Sequence, residues 1–99
     1  MLDDIAELRN LLRDLASIEP YGRGIRVVTI HPFKVWDVLM GYCGDLVVLY
    51  AGREGLFFTV RLLCVERSVE IYLEVRRINR IFYLHPMLAL FKDEAFSYT

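Results

Sequence analysis

Ninety-nine residues and 11.6 kDa leave room for one hydrophobic core, so the chain is expected to form a single domain over 1–99. Apolar residues make up 56% of it and charged residues 25%, with a mean hydropathy of +0.35, which excludes disorder; the longest unbroken apolar run, 46–51, is far too short for a membrane-spanning helix. Twelve Lys and Arg against thirteen Asp and Glu give a net charge of −1, so no long-range field draws the chain to nucleic acid or an anionic membrane.

The polar inventory has a thermophilic cast: ten of the twelve cations are Arg, Gln is absent, and Asn stands only at 10 and 79. Met1-Leu2-Asp3-Asp4 is acidic where an export signal would be basic and then apolar, and the expectation is an intracellular protein. Cys43 and Cys64 are 21 residues apart, form no CxxC motif and lie in apolar stretches. They read as buried free thiols, with the disulfide used inside hyperthermophiles as the alternative.

In chain order, Ile5, Leu8, Leu12, Leu15 and Ile18 follow the helical period, with Asp4 and Glu7 as a capping pair, and predict a helix over 4–19. Pro20, Gly22 and Gly24 stop it. The β-branched stretch 25–31 predicts a strand, and Pro32 opens a second helix over 32–43 with Gly44 as C-cap and an inward stripe of Phe33, Trp36 and Met40, flanked by Val35 and Leu39. From Asp45 the period becomes two. Strands over 46–51 and 56–65, joined by a turn at 52–55, form the clearest hairpin. After a reversal near Arg67 and Ser68, Val69, Ile71, Leu73 and Val75 alternate with Glu70, Tyr72, Glu74 and Arg76, a strand with one wet face. A turn at 78–81, a short strand over 81–84 and a third helix from Pro86 complete the pattern, with 95–99 fraying.

Arg26 to Phe33 and Arg80 to Met87 share the order Arg, apolar strand, His-Pro, helix, 54 residues apart; a strand running into a Pro-started helix is common, so coincidence is the preferred reading and an ancient duplication the alternative. The elements sum to an α+β fold, an antiparallel sheet of four or five strands with two or three packed helices. Strands apolar on both sides need two covers, which so few short helices do not supply. Part of the sheet, or the flank of the helix over 32–43, is therefore expected to be buried in a two-fold homodimer.

Chemistry is harder to find. His31 and His85 have no Cys or His at ligand spacing, so no metal is expected, and no phosphate-cradling glycine loop calls for a cofactor. Glu70 and Glu74, four residues apart on a strand, lie about 13 Å apart, too far for paired-carboxylate chemistry. Ser17, Ser68 and Ser97 sit in no nucleophile context, and a general base at His31 or His85 is a distant reading; the chain is not expected to be an enzyme. The best patch is Arg76, Arg77 and Arg80 near Tyr72, Phe82 and Tyr83, since guanidinium groups bind phosphate and aromatics stack on bases. Glu70 and Glu74 oppose it, so nucleic-acid binding is the alternative and salt-bridged arginines the preferred reading.

The Arg-rich, Gln-free composition and the run LVVLYAGREGLFFTVRLLCVERSVEIYLEVRRI resemble the small proteins of filamentous and rod-shaped viruses of hyperthermophilic, acid-dwelling archaea. The resemblance implies an early or accessory viral protein of the host cytoplasm, hyperthermostable, α+β and dimeric, with no catalytic residues to carry over. Related viral families include inhibitors of host defence, so it also implies a host or viral protein as partner.

Overall fold

A computed structural model describes residues 2–55 and 57–76, with side chains from Ile5 onward. The elements are α1 (Leu2–Leu11), β1 (Ala16–Tyr21), β2 (Gly24–Thr29), α2 (Pro32–Cys43), β3 (Leu46–Glu54), β4 (Phe57–Cys64) and β5 (Val69–Val75). The five strands form one sheet in the order β1-β2-β5-β4-β3. Three pairings are antiparallel, and β2 with β5 is parallel, so the α+β sheet expected from the hairpins is mixed. The parallel pair arises because α2 carries the chain from β2 to the far edge, and the β3-β4-β5 meander then returns to the free side of β2.

The helix expected over 4–19 is a helix only to Leu11, followed by an edge strand. Ile5, Leu8 and Leu12 are buried at helical spacing, but the N–H groups of Leu15 and Ala16 both donate to the Leu12 carbonyl and turn the chain. Leu15 and Ile18 fit a helical period and a short strand equally well. Tertiary pairing decides: Ile18 aligns with Val27, and Gly22, at φ +59°, opens the two-residue turn into β2.

Pro32 starts α2 where the sequence places it, the His31 carbonyl accepts the Val35 N–H, and Gly44 ends the helix at φ +71°. Its buried stripe is rotated from the expected one. Val35, Leu39 and Cys43 are fully buried, while Trp36 is half-buried and Met40 exposed, because the sheet is met by the face through 35, 39, 42 and 43. β3 runs to Glu54, into the turn expected at 52–55; Glu54 pairs with Phe57 and the reversal falls at Gly55, φ +64°.

Both helices cover one face. Val69, Ile71, Leu73 and Val75 are buried there with Val60, Leu62, Ile25 and Val27, as the alternation in β5 predicts. Cys43 and Cys64 are buried but not free: they form a disulfide, Cα–Cα 4.9 Å, that ties the end of α2 to the end of β4. Sequence distance hid this, since only the α2 crossover brings the two positions together. Among the described residues no helix is long and apolar enough to cross a membrane. The strand expected over 81–84, the helix from Pro86, His85, Arg77 and Arg80 lie outside the described residues.

Candidate functional site

The sheet face away from the helices is a lattice of ion pairs. Register aligns Glu19, Arg26, Tyr72, Arg61 and Tyr50 in one row across all five strands. Arg26 bridges Glu19 at 2.7 Å and Glu74 at 2.8 Å, Arg61 binds Glu70 at 2.5 Å, and Arg76 binds the other oxygen of Glu74 at 2.5 Å. Arg61 lies 5.4 Å over the Tyr72 ring, which meets Tyr21 edge to face at 4.7 Å. Tyr21, Arg26, Tyr50, Arg61, Tyr72 and Glu74 line a shallow depression of about 210 Å³ on this face.

These contacts decide the protonation of the face. Burial pushes the Glu74 carboxyl upward, but hydrogen bonds from Arg26 and Arg76 outweigh it and hold the group below its ordinary range. The same hydrogen bonds, Glu74 first and Glu19 second, raise Arg26 further above the guanidinium's usual value, and Glu70 raises Arg61. Glu70 and Glu74 are thus bound by guanidinium groups and neither stands free as a base.

Of the sequence-derived patch, Arg76 is within the described residues and Arg77 and Arg80 are not. The Arg76 guanidinium is bound to Glu74 and stacked 4.4 Å over the Phe57 ring. Its charge is matched inside the fold, as the salt-bridge reading has it. His31 occupies the cap position of α2, exposed, and its backbone N–H donates to Thr29 Oγ1 at 2.7 Å while that hydroxyl donates to the Leu15 carbonyl at 2.5 Å. The junction is held by Thr29 and not by the imidazole, which lines an open crevice of about 480 Å³ with Arg13, Ser17 and Arg76. Among the described residues no three His, Cys, Asp or Glu side chains converge on a metal-sized site.

The feature that stands out is the β3 edge. Val47, Val48, Leu49 and Tyr50 are 43%, 38%, 49% and 44% exposed, four consecutive large apolar side chains on an outer strand. No charge interrupts the strand from Leu46 to Gly52, and the register shifts between Val48 and Tyr50 as Leu49 bulges. An exposed apolar edge is a template for another strand, because its outward N–H and C=O groups have no ladder partner. The opposite edge is protected. β1 is six residues long, bears Glu19 and the donorless Pro20, and its Ile18 carbonyl accepts hydrogen bonds from Arg9 Nε and Nη2 at 3.2 and 3.1 Å.

The sequence marks 46–51 as apolar on both sides and so as a strand needing two covers; it does not tell a central strand from an edge. Among the described strands β3 lies at an edge of the sheet, with four successive apolar side chains exposed. Compared with known protein families, curated proteins and solved structures, the chain matches none.

Proposed function

We propose that this chain is a protein–protein interaction module that acts by offering β3 to a strand of a second polypeptide chain. The observation that carries this is the contrast between the two edges among the described residues: Arg9, Glu19 and Pro20 guard β1, while Val47 to Tyr50 are partly exposed on β3. Addition of a strand there would complete the backbone ladder, and the exposed side chains would select an apolar, uncharged partner segment. In line with the viral resemblance, the partner class is a protein of an archaeal host or of the virus, met inside the cell, and the chain is hyperthermostable with a melting midpoint above about 90 °C.

Amide hydrogen exchange tests the edge directly. The outward amides of β3 should exchange far faster than those of β4, and a photo-crosslinker at position 47 should capture a protein that the same chain carrying Leu49→Lys loses. Exchange in β3 as slow as in β4 at low protein concentration would refute the reading.

A further inference from the structure

We infer that the strand that seats on β3 is β3 of a second copy, paired antiparallel about a two-fold axis so that two five-stranded sheets become one of ten. This rests on the reading of β3 as an interaction edge and names its partner.

The first reason is chemical matching. The strand from Leu46 to Gly52 is uncharged, so the segment that suits its edge is another uncharged apolar strand, and every copy of the chain carries one. In a two-fold antiparallel seam each copy offers the same edge, and the open N–H and C=O groups of one strand meet those of the other. No charge is buried at the centre. The two Asp45 carboxylates are kept at opposite ends of the seam, each beside the end of the partner strand that carries the partner's Arg53, whereas a parallel seam would set like beside like.

The second reason is closure. Once two β3 strands are joined, the edges left among the described strands are the two β1 strands, and these carry Glu19, Pro20 and the Arg9 hydrogen bonds to Ile18. Growth stops at two copies instead of continuing as a fibre. The third reason sets the strength. Four partly exposed side chains and one strand backbone per copy make an interface smaller than the ~800 Å² per partner of a standard one, so the dissociation constant should be roughly 10 µM.

Sedimentation equilibrium of the full chain from ~1 to ~200 µM decides it, because mass action must move the average mass from 11.6 kDa toward twice that value. The paired change Val47→Lys with Leu49→Lys should weaken association at least about tenfold with the circular dichroism spectrum unchanged, since both side chains lie outside the core. Ser17→Lys on β1 should leave association as it was.

A dimer that survives the paired change overturns the inference. So does a monomer throughout, and exchange then separates its two meanings. Fast exchange in β3 leaves the edge open to a foreign strand and the proposed function standing; slow exchange in the monomer shows an edge covered within the chain, and both fail.

Discussion

Breaking the Cys43–Cys64 link should be the largest single perturbation of stability available without removing a side chain from the apolar core. The bonded residues are 21 apart in sequence, and in the loop-closure picture a cross-link of that span restricts the unfolded chain by about 3 kcal/mol. For a domain of this size each kcal/mol moves the melting midpoint by roughly 4–8 °C, so reduction should lower it by about 12–24 °C. Both cysteines are fully buried, so a reductant will act only on unfolded chain; the protein should be unfolded, reduced and refolded in reductant before scanning calorimetry. Reduction leaves both sulfurs in place, which separates the cross-link from the cavity that Cys43→Ala with Cys64→Ala would add. If the unfolded protein as isolated titrates two free thiols, or if reduced and oxidised forms melt within about 3 °C of each other, the reasoning is wrong.

Glu74→Gln should cost about 1 kcal/mol at neutral pH, since it breaks charge-assisted bonds from Arg26 and Arg76. The Glu74 pKa is lowered on folding, so this stabilisation is present above the ordinary carboxylate range and fades as pH falls through the folded value; denaturant titrations of both proteins should converge only at pH below the ordinary carboxylate range. Two glycines should respond oppositely. A Cβ at Gly24 would run into the Glu70 backbone carbonyl on the parallel neighbour, so Gly24→Ala should cost more than about 2 kcal/mol, whereas Gly41 in α2 has open space and Gly41→Ala should gain about 0.5–1 kcal/mol. With Arg76 bound to Glu74 and Phe57, labelled duplex or single-stranded nucleic acid should show no mobility shift at low salt. A shift abolished by Arg76→Ala with Arg77→Ala would favour the nucleic-acid alternative.

What was legible in the sequence was what local chemistry dictates. Pro32 and Gly44 bracket α2 because a missing N–H and a left-handed residue have the same meaning in any fold, and the alternation from Val69 to Val75 admits only a half-buried strand. What was missed depends on distant partners. Residues 12–18 satisfy two periods, and β2 chooses between them; Cys43 meets Cys64 only through a crossover; β5 meets β2 in parallel, its residues pairing with positions 46 earlier in the chain, with no local mark. The candidate site divides the same way. Arg76 was visible as a cation in a cluster with a salt bridge as its preferred reading, but the long reach of Arg26 from another strand to the same Glu74 was not.

The arrangement accounts for where the excess of apolar residues goes. A five-stranded sheet has two faces and two edges, and this chain has two described helices with which to cover them. Both lie on one face. The other face is made tolerable to water by Arg26, Arg61 and Arg76 set against Glu19, Glu70 and Glu74, with tyrosines between them, so it needs no protein cover. One edge is closed by Arg9 and Pro20. Leu11, Ile30, Met40 and Val65 are exposed singly, whereas Val47 to Tyr50 follow one another along an edge strand, where the bulge at Leu49 works against strand addition. A chain selected only to remain monomeric could place one lysine in that line at little energetic cost, because the positions are already solvent-exposed; that it keeps four apolar residues in succession there is the physical reason to regard β3 as a surface meant to be met.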